Sequence, residues 1–451
     1  MKRLRLALST VVLGMLLAGA GAALGAERFP PPDFTDHKLP QTVVTPARSE
    51  LWNYLDVAAL AVGLALASYL ALVRRSRRGL LVLTLVSLAW LGFWRKGCVC
   101  PIGAIQNVSL ALAEPSYAIP FAVVVFFTLP LVFTLFFGRT FCAAVCPLGA
   151  VQELVAVRPV KVPGWVEHTL GLLPYVYLGA GVVFAATGTA FVICEYDPFV
   201  GFFRMGLDKI AVNKMIIVGI SMLVIGLFIG RPYCRYLCPY GALLRLASRL
   251  SKWHVRIPPE QCINCRLCED ACPYGAIRQP TVPQPAVDLA RGRRRLALLL
   301  VLLPVLVAAG WLLAGRLAIP LSNLHPTVRL AERMRLEETG QESEPVDMTN
   351  AFRNTGRPAR ELYQQAIDLR RRFATAGAWL GAWVGLVLGV KLIYLSIRRR
   401  RVDFQPDTAN CVSCGRCFWY CPCEQVRLGL IETLLPSPVP GEGSGVRGST
   451  P

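Results

Sequence analysis

Eight cysteines stand in two copies of one pattern, in which three cysteines separated by two residues are followed, four residues on, by Cys-Pro. The copies are Cys262, Cys265, Cys268 and Cys272-Pro273, and Cys411, Cys414, Cys417 and Cys421-Pro422. Three thiolates at this spacing bind one iron–sulfur cube, and the fourth cysteine binds the cube of the other copy in bacterial two-cluster ferredoxins. The pattern therefore predicts two [4Fe-4S] clusters, which carry single electrons.

The predicted ligand sets are crossed between the copies. One cluster takes Cys262, Cys265, Cys268 and Cys421, and the other takes Cys411, Cys414, Cys417 and Cys272. Zinc is the alternative, because tetrahedral zinc sites also use thiolates. Zinc motifs, however, rarely carry three cysteines at this spacing with a trailing Cys-Pro. The copies are far apart in the chain, and residues 273–410 between them include two long apolar stretches.

Four more cysteines belong to a shorter repeat that ends in Cys-Pro-x-Gly-Ala. The first copy consists of Gly138-Arg139, Cys142 and Cys146-Pro147. The second consists of Gly230-Arg231, Cys234 and Cys238-Pro239. Cysteines at positions i and i+4 share one face of a helix, so two pairs that meet across a pseudo-two-fold axis offer four soft thiolates. We predict that they bind a metal or form a redox dithiol pair. The alternative is that they are small apolar packing residues.

A degenerate third copy and one isolated cysteine complete the candidate ligands. The third copy has Cys98 and Cys100 before Pro101, and Cys194 ends another apolar run. If the chain is threaded through its apolar runs from an external start, these cysteines fall on the opposite face of the membrane from the two complete copies. We predict them as further metal ligands, and a plain disulfide is the alternative because an external location permits one.

The elements that position these cysteines are membrane helices. Hydrophobic residues make up 54% of the 451 residues, and several uncharged runs approach the ~20 residues needed to cross a bilayer. The net charge is +20, and basic residues cluster at the ends of apolar runs, at 74–78, 291–295 and 398–401. That placement is typical of cytoplasmic loops and argues against nucleic-acid binding. Sixteen cysteines indicate metal or redox use rather than a disulfide framework, and the absence of C-x-x-C-H argues against covalent haem.

Seven apolar runs set the topology, at about 55–73, 79–94, 117–137, 169–193, 210–229, 296–315 and 375–397. Residues 1–26 have the pattern of a signal peptide or an uncleaved signal anchor, so the following segment starts outside the cytoplasm. Threading the runs from there brings both complete Cys-Pro repeats and both ferredoxin patterns to the cytoplasmic side, because an inserted helix pair returns the chain to its starting side. Arg95 and Lys96 disagree with this threading, which puts them outside.

The predicted fold is an α-helical polytopic membrane protein, in which a cytoplasmic two-cluster ferredoxin module of the bacterial α+β type is interrupted by a transmembrane helix pair. The predicted segments are a signal peptide or anchor (1–26), an external tether (27–53), a transmembrane core with the Cys-Pro repeats (54–250), the first ferredoxin half (251–290), a transmembrane helix (291–315), an external helical loop (316–374), a second transmembrane helix (375–397), the second ferredoxin half (398–433) and a disordered tail (434–451).

Two Gly-Arg-x-x-Cys-x-x-x-Cys-Pro elements and two ferredoxin patterns among membrane helices resemble the membrane polyferredoxins of the NapH and NosR type. These proteins accompany periplasmic nitrate and nitrous-oxide reductases. The resemblance covers roughly residues 55–430 and implies two cubane clusters facing the cytoplasm, on the eight cysteines named above. No segment fits the external flavin-binding domain of NosR-type proteins, so no FMN domain is expected and a separate flavoprotein is a candidate partner. The second pattern ends Cys421-Pro422-Cys423-Glu424, a change that would alter its cluster's surroundings.

The leading hypothesis is an electron conduit across a bacterial inner membrane, between a cytoplasmic or quinol donor and a periplasmic redox partner. The protein would be an electron-transfer component of an oxidoreductase system rather than a stand-alone catalyst, and no catalytic residue is assigned. A bilayer core ~30 Å thick separates the two faces, and the sequence shows no ligand at mid-depth. A second hypothesis is copper reduction or assembly for a periplasmic or membrane metalloenzyme, since copper(I) prefers soft thiolates. The third is redox sensing through the external loop.

Overall fold

The computed structural model describes residues 49–95, 101–157, 159–188, 191–198, 203, 210–257, 262–281, 289–342, 346–397, 401 and 403–431. The predictions for residues 1–26, for most of the tether and for the tail at 434–451 lie outside this part of the chain, as do Cys98 and Cys100. The described chain is almost entirely helical and contains one two-stranded sheet.

Eleven helices of the described chain precede the first ferredoxin pattern. They are α1 (Glu50–Leu72), α2 (Arg77–Ser87), α3 (Pro101–Ala113), α4 (Phe121–Phe137), α5 (Pro147–Val155), α6 (Gly164–Leu170), α7 (Leu173–Ala186), α8 (Val192–Tyr196), α9 (Ile210–Gly226), α10 (Pro232–Tyr236) and α11 (Pro239–Ser248). A π-helical turn over Leu88–Trp94 extends α2, and a second one covers Phe141–Val145 between α4 and α5. Proline suits the first position of a helix because its missing N–H has no partner there, which explains why α3, α5 and α11 each begin at the proline of a Cys-Pro element.

The remaining elements belong to the ferredoxin halves and to the segment between them. They are α12 (Leu267–Asp270), β1 (Ile277–Arg278), α13 (Leu289–Ser322), α14 (Pro326–Glu338), α15 (Asp347–Asn354), α16 (Ala359–Ser396), β2 (Gln405–Pro406), α17 (Arg416–Trp419) and α18 (Pro422–Arg427). Both α13 and α16 extend beyond the apolar runs at 296–315 and 375–397. The segment between them is therefore shorter than the predicted loop at 316–374, and it contains the helices α14 and α15.

Within the described residues, five helices are long and apolar enough to cross a membrane. They are Glu50–Leu72, Arg77–Trp94, Gly164–Ala186, Ala290–Ser322 and Ala359–Ser396. Phe121–Phe137 and Met215–Gly226 are shorter apolar helices, so two of the predicted runs are helical but below that length. The helical membrane fold predicted from composition is confirmed.

Glycines line the contact between α13 and α16. A Cβ on Gly381 would lie 2.0 Å from the Gly310 carbonyl oxygen, so only glycine lets the two backbones approach this closely. Trp311 and Trp379 meet edge to face beside it, with ring centroids 4.9 Å apart. Small residues are the usual means of close helix packing in a bilayer, where dispersion replaces the hydrophobic effect.

Among the described residues, 329–363 form a compact unit of their own. In this unit the Glu337 carboxylate accepts hydrogen bonds from Thr349 Oγ1 (2.9 Å) and Arg353 Nη2 (2.7 Å). These bonds tie α14 to α15 and give the segment a fixed helical structure.

The two ferredoxin halves meet although 273–410 separate their patterns. β1 and β2 pair antiparallel, with Ile277 opposite Pro406 and Arg278 opposite Gln405. Beside this pair, Arg278 Nη2 forms an ion pair with Asp407 Oδ2 at 3.0 Å. The helix pair α13 and α16 therefore interrupts one α+β module, as the sequence predicts.

Candidate metal centres

The backbone turns that carry the two ferredoxin patterns have the same conformation at matching positions. Asn264 and Arg266 have φ values of 53° and 61°, and Ser413 and Gly415, at the same places in the second pattern, have 55° and 82°. Left-handed φ values are uncommon outside glycine. Their repetition indicates that each turn bends the chain so that three closely spaced cysteines reach one place.

The exposed set consists of Cys262, Cys265, Cys268 and Cys421. All four line one cavity, whose walls also include Ile257, Phe404 and Cys423. Burial, together with the neighbouring cysteines of the set, raises the pKa of Cys268 to about 11. Because Cys265 is exposed, this set lies at the surface of the ferredoxin module.

The buried set consists of Cys272, Cys411, Cys414 and Cys417. Burial raises the pKa of Cys411 to about 12, and the Cys414 and Cys272 thiols contribute. Cys417 interacts electrostatically with the other three and also with Cys268 of the exposed set, so the two sets are neighbours. The fourth cysteine of each pattern therefore stands with the first three of the other pattern, which is the grouping that crossed ligand sets require.

The membrane set consists of the Cys-Pro repeat cysteines Cys142, Cys146, Cys234 and Cys238, and the structure brings all four to one cavity. Three of the sulfurs accept an N–H: Cys142 from Arg139 Nη2 (3.6 Å), Cys234 from Gln152 Nε2 (3.3 Å) and Cys238 from the Gly241 amide (3.2 Å), whereas Cys146 caps α5 without a side-chain hydrogen bond. N–H donors to sulfur stabilise thiolates and tune metal centres, so this cavity suits an anionic metal–thiolate group.

The membrane set lies deeper than the sequence indicates. Its cavity is lined by Leu60 of α1, which at 1.5 Å per residue is about 15 Å from Glu50 and about 18 Å from Leu72. Thr140 lies beside Ser68, near the end of α1, with 3.1 Å between the hydroxyl oxygens. The cavity therefore lies near the middle of α1 along its axis, and the chain that follows α4 turns back beside α1 to bring the cysteines there.

The amino-terminal ends of three described helices line the membrane-set cavity. Pro101 and Ile102 of α3, Pro147 of α5, and Tyr240 and Gly241 of α11 all contribute to it. Helix amino termini carry partial positive charge and unpaired N–H groups, which favour anions. Pro101 of the degenerate third copy thus lines the same cavity as the two complete copies, while Cys98 and Cys100 lie outside the described residues and their predicted location on the opposite face stays a prediction.

Cys194 is separate from the four cysteines of the membrane set. It is exposed, and its sulfur packs against α3, where a Cβ on Gly103 would lie 3.4 Å from it. Its amide donates to Gln106 Oε1 at 3.1 Å. Cys98 and Cys100 lie outside the described residues, so the predicted grouping of the three cysteines stays a prediction.

Glu153 joins the ferredoxin module to the membrane core. This buried carboxylate accepts hydrogen bonds from Arg77 (2.6 Å), Arg231 (3.2 Å), Arg416 (2.8 Å) and the Tyr274 hydroxyl. Burial opposes its ionisation, but the three arginines lower the pKa of Glu153 well below its usual range. Sequence reasoning missed this residue, and the available signal was a single acidic residue in the apolar stretch 147–155.

The repeated arginines Arg139 and Arg231 lie between the buried set and the membrane set. Arg139 donates to the Ala409 carbonyl (3.2 Å), two residues before Cys411, and to Cys142 Sγ. Arg231 donates to the Cys142 carbonyl and interacts electrostatically with Cys234 and Cys414. The two sets are therefore adjacent, and the exposed, buried and membrane sets form one series.

The cysteine sets fit a group larger than one metal ion. Among the described residues, no three cysteine, histidine, aspartate or glutamate side chains converge closely enough to hold a single ion, although the exposed and membrane sets each line one cavity. An iron–sulfur cluster distributes its thiolate ligands over several irons.

Two protein-family models match the chain, and both are described as a 4Fe-4S binding domain. One matches residues 119–165 and 214–258, which contain the two complete Cys-Pro repeats. The other matches residues 255–278, which contain the first ferredoxin pattern. The matches show that the chain has 4Fe-4S binding domains.

Several curated proteins are similar to part of the chain. Protein NirI of Paracoccus denitrificans is 34% identical over 45% of this chain and 31% of its own length. The putative electron transport protein YccM of Escherichia coli is 27% identical over 38% of this chain and 52% of its own. The regulatory protein NosR of Stutzerimonas stutzeri is 28% identical over 46% and 30%. The chain thus spans about a third to a half of these relatives, and no solved structure matches it.

Proposed function

Because the chain belongs to the polyferredoxin 4Fe-4S family related to NirI, NosR and YccM, we propose that it relays electrons across a bacterial inner membrane. The donor is a cytoplasmic reductant or a quinol, and the acceptor is a periplasmic redox partner, for which a flavoprotein is one candidate. The chain is a membrane iron–sulfur electron-transport protein, and the donor, the acceptor and the direction are what the proposal adds.

The succession of the three cysteine sets is the observation that carries the proposal. The exposed set is at the surface, Cys417 of the buried set packs against the small apolar cluster that contains Cys268 of the exposed set, and Arg139 lies between the buried set and the membrane set. We assign a [4Fe-4S] cluster to each of the exposed and buried sets and a third thiolate-bound centre to the membrane set. The clusters supply one-electron chemistry, and the chain supplies binding sites in series.

The depth of the membrane set supports a transmembrane path. A ~30 Å bilayer core is divided near its middle by the cavity that Leu60 lines. Apolar side chains such as Phe126 and Leu244 also line that cavity. Following the basic clusters in the sequence, we propose that the ferredoxin module faces the cytoplasm and keep the predicted external location of the loop at 316–374, with Cys98, Cys100 and Cys194 as candidates for the outward part of the path.

The test is the amount of iron and acid-labile sulfide per chain, with EPR spectra of the reduced protein. The wild type is compared with a variant in which Cys142, Cys146, Cys234 and Cys238 are all serine. We expect about twelve irons in the wild type if the third centre is a cubane, from four irons per [4Fe-4S] cluster, and a fall to about eight in the variant. The signals of the exposed and buried sets should persist in both proteins.

Other outcomes would redirect the proposal. About eight irons in both proteins, with copper bound to the wild type and lost in the variant, would favour the copper-handling hypothesis. Zinc in place of iron at the ferredoxin cysteines would overturn the electron-transfer function. A chain that holds its clusters but passes no electrons to any acceptor would instead favour the redox sensor.

A further inference from the structure

Arg139 is a buried cation that no described carboxylate pairs with. Its side chain is 2% exposed. It donates to the Ala409 carbonyl and to Cys142 Sγ, while its buried Nε has no hydrogen-bond partner among the described residues. The groups that act most strongly on its charge are the Cys142, Cys234 and Cys238 thiols.

The matching arginine of the second repeat is in a different situation. Arg231 is equally buried, but its Nε pairs with Glu153 Oε2 at 3.2 Å. A carboxylate therefore offsets the charge of Arg231, whereas Arg139 faces sulfur and a backbone carbonyl. Repeat symmetry places an arginine before each cysteine pair, and of these two arginines Arg139 is the one whose charge no described carboxylate offsets.

An isolated charge in a low-dielectric interior is strongly unfavourable unless an opposite charge is close. Four neutral thiols or two disulfides would give Arg139 no such charge. Four thiolates that bind a metal centre would give Arg139 a negative neighbour. Their summed negative charge exceeds the positive charge of a [4Fe-4S] core or of a divalent ion, so the complex as a whole is anionic. The surroundings of Arg139 are thus those expected beside an occupied, anionic membrane set.

We propose that Arg139 is a positioning residue that supplies the counter-charge of the membrane-set centre and raises its midpoint potential. The inference rests on the proposed function, since it requires a redox centre at these four cysteines. A positive charge next to a centre favours the added electron. Through Ala409 the same guanidinium also lies next to the buried set, so the charge favours electrons at both centres and most strongly at the one it touches.

The experiment is an EPR-monitored redox titration of the full chain in lipid nanodiscs. The membrane-set signal is identified as the one that the quadruple serine variant loses. In Arg139→Gln we expect the equilibrium constant for moving one electron from the buried set to the membrane set to fall at least tenfold, which is 59 mV for a one-electron couple. Arg139→Lys keeps the charge and should change the constant less than threefold. Arg278→Gln is the control, because Arg278 is balanced by Asp407 at the module surface.

The outcomes for the Arg139 variants either support or overturn the proposed role of Arg139. If Arg139→Gln keeps its iron and the constant changes less than twofold, the inference fails while the proposed conduit stands. If the wild type has no signal that depends on the four cysteines, both fail together. If Arg139→Gln loses the centre and Arg139→Lys keeps it, the requirement for positive charge is upheld. If both variants lose it, the role of Arg139 is geometric and the inference is overturned.

Discussion

Replacing Glu153 by glutamine tests what holds the ferredoxin module on the membrane core. Glu153 is the carboxylate shared by Arg77 of α2, Arg231 of the second repeat and Arg416 of the second ferredoxin half. Its side chain is 4% exposed, so water cannot replace it. Removing one partner of a buried ion pair costs about 3–5 kcal/mol, because the other charges stay buried without compensation.

The change should appear as loss of hydrogen-exchange protection in the ferredoxin module. At 1.4 kcal/mol for each factor of ten, 3–5 kcal/mol corresponds to roughly a 100- to 4,000-fold increase in the population of the undocked module. Glutamine keeps one carbonyl acceptor, so the lower end is expected. The measurement is hydrogen–deuterium exchange of the cluster-loaded protein, followed at the amides of residues 403–431.

Asp270→Asn provides the matched control for Glu153→Gln. Asp270 also connects the module to the core, through Lys161 Nζ at 2.6 Å, but both side chains are more than 60% exposed. An exposed ion pair contributes little, so protection should change less than about fivefold. Equal effects of the two substitutions, or full protection in Glu153→Gln, would refute the argument that Glu153 docks the module.

Three further predictions concern other parts of the chain. Asp56→Asn breaks the buried ion pair with Arg95 (2.8 Å) and should destabilise the folded protein by about 3–5 kcal/mol. The loss should appear as a lower unfolding midpoint in detergent, and an unchanged midpoint would show that the pair is not needed. Gly381→Ala places a methyl group against the Gly310 carbonyl and should destabilise the helix pair by about 1–3 kcal/mol, which thermal unfolding measures. Cys423→Ser should leave the iron content unchanged, because the exposed set is complete without Cys423, and loss of four irons would contradict the assignment.

The cysteine patterns predicted the organisation of the site because their spacing is a local property. Left-handed turns at Asn264 and Ser413 follow directly from the need to bring nearby cysteines together. The meeting of the two ferredoxin halves was also predictable, since an even number of membrane crossings returns the chain to one side.

The position of the membrane set beside the middle of α1 was not predictable in the same way. Hydropathy indicates the length of an apolar run, but it does not show where the chain goes after that run ends. Gly138, with φ of 70°, ends α4 and lets the chain turn back between the helices. Arg95 is a second feature that hydropathy did not explain. Interpreted as a charge in a loop, it disagreed with the predicted topology, but in the structure it is buried and paired with Asp56 of α1. Intramembrane charges of this kind find partners only in the folded structure.

The interruption of the ferredoxin module by α13 and α16 sets an order of events during biosynthesis. When Cys272 has left the ribosome, the exposed set still lacks Cys421 and the buried set still lacks Cys411, Cys414 and Cys417. At 5–20 residues per second these cysteines follow roughly 7–30 s later, after the helix pair has been made. Metal loading that needs a complete ligand set is coupled to folding. A chain truncated within the helix pair would therefore hold neither ferredoxin cluster, so a correctly threaded membrane hairpin is a precondition for the electron carriers.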